Sequence, residues 1–583
     1  MRRLLGLAVA RVAAEWCGAG DQLGDGWCAT TDAALRRPFE RPMPRGSPNW
    51  TAAERDAVRA WLDGPDDRVG DLDLPRVFVY PFPPAFADMR AVLSAVPGVK
   101  KLPPNASYFD FAGGLMGENR RNETWYARDS HGSARNIHGS EWRPSAAGVG
   151  RYKAATADAP CDESIPGSCV HAGFSQHALG LAIHRSLFEN YPNRVDDPKK
   201  ADLFFIPDHF IDTTLQRQKL TREQWCRAVG PVWRDHLRTF HDGATSYLRR
   251  NGRRDHFFVV GRAWHLAGDR KKKDQLRQLE QYGALEDCAY RWSGFRGAQR
   301  LVLESQYDFN RLCASVHPLP YQSFLPYASS KTWGDAWFGA GDRRWLASGF
   351  FSVWDKDELT DPSGAREAFH DACDAWDACR LSLPAAGYYE AAYRNSTFAL
   401  QPCGHSAVRK GIVDSLLAGA IPVLSSSEPR SHSYVSAKDQ RDVWPWNWPA
   451  QGATSIILDV RELPRLAEIL SRVDSEQVAL MRRAISRVAA GLAWPLFPDA
   501  AVGDPDRRPN ALDLAMHHLH VAVRASATDD AKDRCRAYAE AALEGEGDGF
   551  ALYEKQQALV DAFAESLAAT KSAVRWIDWW RRT

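Results

Sequence analysis

The chain has 583 residues, enough for two or three domains with large buried cores, so a mini-protein is excluded. Its 74 basic and 73 acidic side chains leave a net charge of +1, which gives no sign of a nucleic-acid partner. No run of about 18 apolar residues predicts a membrane-spanning helix. The 22 tryptophans provide large flat rings that either fill cores or stack on sugar rings, and composition does not choose between these uses.

Residues 1–75 are expected to form a targeting segment and an irregular stem. Arg2 and Arg3 precede the apolar run 4–10, as in a short secretory signal, although an amphipathic first helix explains the same pattern. Residues 18–75 are rich in Gly, Pro, Asp and Arg, and only 51–62 has the spacing of a helix.

The 11 cysteines are too dispersed for a small disulfide scaffold, and none has the Cys-x-x-Cys spacing of a zinc site. The number and spacing of the cysteines are compatible both with disulfides and with buried free thiols. The close pairs are Cys17 with Cys28, Cys161 with Cys169, and Cys373 with Cys379. Asn-x-Ser/Thr sequons, which slightly favour a glycosylating lumen, occur at Asn49, Asn105, Asn122 and Asn395.

The first half of the chain has the pattern of an α/β domain. Continuous apolar runs predict strands at 76–80, 202–207 and 256–261. Residues 174–189 have helical spacing, and 100–170 is expected to be loop-like. Continuous apolar strands separated by helices are typical of a parallel sheet that is covered on both faces.

The second half repeats this pattern. It predicts strands at 396–400, 420–424 and 455–460, and helices at 408–418, 463–470 and 477–492, with Gly419 as a helix stop. The chain is therefore divided into an N-terminal Rossmann-like domain (76–330), a C-terminal Rossmann-like domain (331–525) and a helical tail (526–583), with a cleft between the two domains. The tail tryptophans, Trp576, Trp579 and Trp580, either dock the last helix or contact a membrane surface.

The unit of strand 396–400, loop 401–407 and helix 408–418 is a candidate anion site. The start of such a helix presents unpaired N–H groups and the positive end of its dipole. Gly404 lets the backbone approach a ligand, and Arg409 and Lys410 add cationic donors suited to a diphosphate. Asp414 could accept from ribose hydroxyls; alternatively, Lys410 and Asp414 form an ordinary i,i+4 surface pair.

The same segment resembles the exostosin-domain glycosyltransferases, in particular their plant xyloglucan galactosyltransferase branch. The resemblance covers residues 76–525 and rests on ordered matches. Residues 77–80 and 83–86 resemble the family's opening strand, and 201–207 resemble its second strand. The later matches are an Asp-His-Phe element at 255–262, the stretch 398–423 and the closing helix at 510–515.

The resemblance implies a GT-B fold, with two Rossmann-like domains facing a central cleft, the acceptor on the N-terminal half and a UDP-sugar on the C-terminal half. The implied donor-binding set is Gly404, His405, Ser406, Arg409, Lys410, Asp414 and Arg262. Here His405 stands where the family has Asp, Lys410 where it has a second Arg, and Gly411 where it has Ser. A family Trp-Asp pair appears one residue early as Trp264-His265, so two carboxylates have become histidines.

The resulting hypothesis is an inverting glycosyltransferase that moves a sugar from UDP to a hydroxyl of a polysaccharide or glycoprotein glycan. Asp208, His209 and His265, expected at strand ends of the acceptor half, are the candidate general bases, with local packing as the alternative role. No metal or cofactor is expected, since the helix dipole and basic side chains can stabilise the leaving diphosphate. The expected location is the Golgi or secretory lumen, with membrane association through the N-terminus and complexes with other glycosyltransferases as further expectations.

Two other functions stay open at this stage. The two histidine replacements favour a decayed site in a glycan-binding or partner protein. A secreted glycoside hydrolase would need two carboxylates flanking the bond, and the sequence shows no such pair. The alternating Trp444, Trp446 and Trp448 either form a sugar-stacking lip or pack as a buried extended loop on the C-terminal domain.

Overall fold

The computed structural model describes residues 44, 46–81, 83–87, 118–119, 124–128, 134–136, 142–144, 150–152, 179–207, 232–233, 235–243, 245–263, 298–304, 316–323, 343–351, 364–381, 389–403, 408–426, 444, 447–448, 450–495 and 503–525. The described part of the chain forms two parallel sheets with helices, as the sequence predicts. It contains no helix that is both long and apolar enough to cross a bilayer.

The described α-helices are α1 (Ala52–Leu62), α2 (Leu179–Glu189), α3 (Ala365–Asp374), α4 (Tyr389–Arg394), α5 (Lys410–Leu417), α6 (Gln451–Thr454), α7 (Leu466–Ser471), α8 (Ser475–Leu492) and α9 (Ala511–Ala525). Short 3-10 turns occupy Val69–Asp71, Pro84–Ala87, Pro198–Lys200, Tyr247–Arg253 and Val460–Arg465.

The strands before residue 330 are β1 (Val77–Val79), β2 (Glu118–Asn119), β3 (Thr124–Arg128), β4 (Ala134–Asn136), β5 (Trp142–Pro144), β6 (Gly150–Tyr152), β7 (Arg194–Val195), β8 (Leu203–Phe205), β9 (His241–Asp242), β10 (Thr245–Ser246), β11 (His256–Ala263), β12 (Gln299–Glu304) and β13 (Val316–Pro318). Six of them form the N-terminal sheet, in the order β13-β12-β11-β8-β1-β7, and every pair in it is parallel.

Strands β1 and β8 lie side by side in the N-terminal sheet, and all their residues are buried. Apolar side chains on both faces of a strand require cover on both faces, and helix α2 packs against β11. The expectation of a loop-like 100–170 was incomplete, because β2 to β6 form short antiparallel pairings there.

The later strands are β14 (Trp345–Gly349), β15 (Cys379–Leu381), β16 (Ser396–Gln401), β17 (Ile421–Ser426) and β18 (Ile456–Asp459). They form the C-terminal sheet in the order β15-β14-β16-β17-β18, again with every pair parallel. The apolar stretches 398–400 of β16 and 421–424 of β17 are buried inside this sheet, as their composition predicts.

Helix α5 is shorter than predicted and ends as predicted. It begins at Lys410 rather than 408, because Arg409 has an extended backbone and serves as the N-cap. It ends before Gly419, which has a positive φ of 71°. The Gly419 N–H donates to the Leu416 carbonyl and the Ala420 N–H to the Ser415 carbonyl, so the helix stop rests on the conformational freedom of glycine.

The predicted helix 463–470 is divided in two. A 3-10 turn covers Val460–Arg465 and leads into α7. Asp459 and Glu462 form a capping box at the start of this turn. Pro464, which lacks an N–H, lies within the turn and is compatible with this tighter helix start.

The segment before β1 packs on the C-terminal half. Thr51 and Glu54 form a capping box that starts α1, and Val58 of this helix is completely buried in the core. Arg55 pairs with Asp474 and lies 2.9 Å from Glu476, at the start of α8. Residues 46–62, expected as part of a stem, thus cover the outer face of α8.

Helix α9 joins the two halves of the molecule. It packs on α8 of the C-terminal half and on α2 of the N-terminal half. Asn510 accepts from the Asp513 N–H and caps the helix start. The Asp513 carboxylate pairs with Arg507 at 2.5 Å, and both side chains are 1% exposed. This buried ion pair holds the chain before α9 against the first turn of that helix.

Candidate active site

The start of helix α5 lies at the carboxyl edge of the C-terminal sheet. Strand β16, between β14 and β17, ends at Gln401 and leads through Pro402 and Cys403 to this helix. The N-cap Arg409 makes no side-chain capping bond. The amides at the start of α5, together with the dipole of the helix, therefore form an anion-binding geometry.

Arg409 lies beside this helix start, packed against the end of β14. Its Nη2 donates to the Phe350 carbonyl at 2.6 Å, and its guanidinium lies 5.9 Å from the centre of the Phe351 ring. Its Nη1 is shielded from solvent and has no hydrogen-bond partner among the described residues. Burial lowers the pKa of Arg409 to about 10, so the side chain stays positively charged at neutral pH. Arg409 is thus a fixed cation whose Nη1 could still donate a charge-assisted hydrogen bond.

A second cation lies on α5 itself. Lys410 Nζ donates to both oxygens of Asp414, at 2.9 and 2.7 Å. The Ser323 hydroxyl donates to the same carboxylate at 2.6 Å. The sequence allowed this i,i+4 pair as a surface pair, but the two side chains are only 16% and 3% exposed.

Burial raises the pKa of Asp414, while Lys410 and the Ser323 hydroxyl oppose that shift by stabilising the ionised form. The carboxylate therefore already accepts three hydrogen bonds. The ribose contact expected for Asp414 stays a prediction.

The side chains of Gln401 and Tyr393 lie next to Gly411, in the first turn of α5. Gln401 is completely buried, and its amide donates to the Tyr393 hydroxyl at 2.9 Å. Its Oε1 lies 2.6 Å from the position that a Cβ on Gly411 would occupy. The family-pattern serine at this position would therefore require the Gln401 side chain to move, and glycine permits the close approach.

The N-terminal half contains a buried group of hydrogen-bonded polar side chains at the start of β11. Tyr80 follows β1, and its hydroxyl lies 3.0 Å from His256 Nε2. His256 Nδ1 lies 2.8 Å from Asp255, and Arg250 donates to the other carboxylate oxygen at 2.8 Å. Burial alone would raise the pKa of Asp255, but His256 and Arg250 outweigh it and hold the pKa below its usual value.

Several predicted site residues have no described side chain. Arg262 lies in β11, near its carboxyl end, and only its backbone is described. Gly404, His405, Ser406, Asp208, His209 and His265 lie outside the described residues. Their roles stay predictions.

The structure decides between the alternatives that the sequence left open for Trp444 and Trp448 and for three of the cysteines. Trp444 and Trp448 are each 1% exposed, so the sugar-stacking lip is wrong for these two rings and the alternative of burial is correct. The Trp448 N–H donates to the Trp444 carbonyl at 2.8 Å, so these two residues close a turn and are not part of an extended loop. Trp446 lies outside the described residues. Cys373 and Cys379 form the predicted disulfide between the end of α3 and β15. Cys403, in the loop after β16, has a buried thiol whose Sγ lies 3.6 Å from the Ser425 hydroxyl oxygen. The other two predicted cysteine pairs lie outside the described residues.

Sequence reasoning missed the partners that hold the site. Ser323 and Tyr393 are distant from α5 along the chain, and no local pattern marks them. Gln401 belongs to the quoted motif, and its place at the end of a central strand was the available signal. Phe350 follows β14 and contributes only its carbonyl, which sequence patterns do not reveal.

Residues 73–473 match the exostosin GT47 domain. The Arabidopsis thaliana protein named "Probable xyloglucan galactosyltransferase GT17" is 24% identical over 380 residues, which are 60% of this chain and 74% of that protein. "Xyloglucan galactosyltransferase XLT2" of the same plant is 25% identical over 60% of this chain and 64% of its own length. "Probable xyloglucan galactosyltransferase GT15" is 29% identical over 23% of this chain and 25% of its own length.

Proposed function

Because this chain belongs to the exostosin GT47 family of glycosyltransferases, whose fold is GT-B, we propose that it transfers a sugar from a UDP-sugar to a hydroxyl of a polysaccharide or glycoprotein glycan. The observation that carries this proposal is the cation cluster at the start of α5. Arg409 has a buried guanidinium nitrogen that no described residue hydrogen-bonds, beside a helix start that no described side chain caps. A diphosphate supplies the anionic oxygens that this arrangement lacks.

The relatives' names suggest which donor to try first. Two of the similar plant proteins are named as probable xyloglucan galactosyltransferases and one as a xyloglucan galactosyltransferase. We therefore take UDP-galactose as the first donor to test and a xyloglucan oligosaccharide as the first acceptor. Other UDP-sugars form the rest of the panel.

The proposed chemistry is a single displacement with inversion. The acceptor oxygen bonds to the anomeric carbon while the bond from that carbon to the UDP oxygen breaks, and the acceptor proton passes to a base. Asp208, His209 and His265 are the candidates for that base. On this proposal the leaving diphosphate gains negative charge, and the amides of α5, Arg409 and Lys410 stabilise it. On this proposal no metal is required, and activity should persist in EDTA.

The test has two steps. Calorimetric titration of the purified protein with UDP should show one binding site, and absence of binding would contradict the proposal. Incubation with the donor panel and acceptor should then release UDP. Nuclear magnetic resonance of the first product should show an anomeric configuration opposite to that of the donor, and retention would exclude single displacement.

A decayed binding protein is the second candidate, and one observation favours it. His405 and His265 stand where the family pattern has carboxylates. This candidate predicts that UDP binds normally but that no combination of donor and acceptor releases UDP. The same two-step test therefore separates the two functions.

We propose the lumen of the secretory pathway, the Golgi included, as the location of the protein. The Cys373–Cys379 disulfide and the exposed sequon residues Asn49 and Asn395 support this proposal. Enzymatic deglycosylation of protein made in a eukaryotic secretory host should lower its mass, whereas an unglycosylated and fully reduced chain would contradict it. Membrane association through the N-terminus and complexes with other glycosyltransferases are further proposals.

A further inference from the structure

The residues that leave the N-terminal sheet run directly into the C-terminal half. This crossover segment, Leu319–Ser323, follows β13, and all five of its residues are buried. Trp494, which follows α8, donates its indole N–H to the Pro320 carbonyl at 3.1 Å. The Tyr321 ring meets the Trp444 ring edge-on, with 6.3 Å between ring centres. Both tryptophans belong to the C-terminal half, while the Leu319 N–H donates to the Val302 carbonyl of β12 at 2.8 Å, so the crossover segment contacts both halves.

The last residue of the crossover segment reaches the donor helix. Ser323 is 2% exposed, and its hydroxyl donates to Asp414 Oδ1 at 2.6 Å. The same carboxylate holds the Lys410 ammonium through both oxygens. Three side chains thus connect the junction between the halves to the first turn of α5.

We propose that Ser323 is a positioning residue for the donor site: it fixes the Asp414 carboxylate, which in turn fixes the Lys410 ammonium at the start of α5. This inference rests on the proposed binding of a UDP-sugar at that helix. It adds that the placement of the donor-site cation depends on a hydroxyl from the segment that joins the two halves.

The physical reason is the burial of the carboxylate. A buried ionised group needs its hydrogen bonds, because water is not there to replace them. Ser323 makes the shortest of the three bonds to Asp414 and approaches it from a different element than Lys410 does. When this bond is lost, the carboxylate turns toward its remaining donor, and the lysine moves with it.

The experiment is a double-mutant cycle read by UDP calorimetry. The proteins are the wild type, Ser323→Ala, Lys410→Met and the double variant. Ser323→Ala should weaken UDP binding about fivefold, within the roughly two- to hundredfold range of coupling between contacting residues. In the Lys410→Met background the same substitution should leave the UDP affinity unchanged, because the group that Ser323 positions is gone. Ser323→Cys keeps the side-chain volume with a weaker donor and should give an intermediate affinity.

Ser186→Ala is the matched control. Ser186 is also a completely buried hydroxyl of the N-terminal half, and it donates across the junction to the Pro495 carbonyl at 3.0 Å rather than to a residue of α5. Its loss should leave the UDP affinity at the wild-type value. An unchanged affinity in folded Ser323→Ala and Ser323→Cys, an equal loss in both Lys410 backgrounds, or the same loss in Ser186→Ala would overturn the inference alone. A wild type that does not bind UDP would overturn the proposed function as well.

Discussion

Replacing Arg409 by alanine should separate its two roles, ligand binding and packing. Nη2 of the guanidinium donates to the Phe350 carbonyl, and Nη1 is buried with no partner in the described part of the chain. If the second nitrogen meets a phosphate oxygen of UDP, its loss removes one charge-assisted hydrogen bond of about 1.5–3 kcal/mol. The dissociation constant for UDP should rise by about one to two decades.

The same substitution should also lower stability. Phe350 is 7% exposed, so its carbonyl would lose its donor in a nearly dry environment, at a cost of about 1–3 kcal/mol. Arg409→Lys keeps the charge, but one ammonium does not reproduce the two-sided fork of a guanidinium. We expect its UDP affinity to lie between those of the wild type and Arg409→Ala. Calorimetry with UDP and thermal unfolding measure the two effects separately.

Arg343→Ala is the control for this prediction. Arg343 is another half-buried arginine of the C-terminal half, and it donates to the carbonyls of Tyr393 and Ser396 at 2.9 and 2.8 Å, at the opposite end of β16. Its loss should destabilise the protein without changing the UDP affinity. If folded Arg409→Ala binds UDP as tightly as the wild type, the donor site lies elsewhere and the reasoning from α5 fails.

Three other predictions concern the stability of the framework. The side-chain hydrogen bond from Arg55 lowers the pKa of Asp474 to about 2 in the folded protein. The ionised Asp474 therefore stabilises the fold above its unfolded pKa of about 3.9, and this stabilisation is lost as the pH falls through the folded pKa. The melting-temperature difference between wild type and Asp474→Asn should therefore shrink from pH 4 toward about pH 2. Arg507→Met should cost about 3–5 kcal/mol in denaturant unfolding, because it leaves the Asp513 carboxylate buried and unpaired. Gly452→Ala should lower the melting temperature and speed proteolysis near residue 46, because its Cβ would lie 1.6 Å from the Pro44 carbonyl oxygen.

The sequence predicted the parts of the fold whose causes are local. Continuous apolar runs gave the central strands of both sheets, and the β16-loop-α5 unit was recognised because its signals are adjacent along the chain. Gly419 stops α5 for the conformational reason expected of a glycine. These elements follow from period, burial and backbone freedom.

The remaining features depend on partners that are far apart in sequence. No pattern around Ser323 points to Asp414, 91 residues later. Trp444 and Trp448 could be placed neither inside nor outside by composition. Both rings lie in the hydrophobic core, where their indole N–H groups are satisfied by the Leu303 carbonyl and the Thr454 hydroxyl.

The position of α1 has a consequence for how the molecule is made. The Trp50 N–H donates to Gln477 Oε1 across 427 residues, and Val58 is buried in the core it shares with α8. During synthesis this early segment emerges long before the surface that it covers exists. The apolar face of α1 must therefore stay unburied, or be shielded by a chaperone, until α8 has left the ribosome. Cutting the chain just before β1 would leave α8 with an uncovered apolar face, and with it a tendency to aggregate.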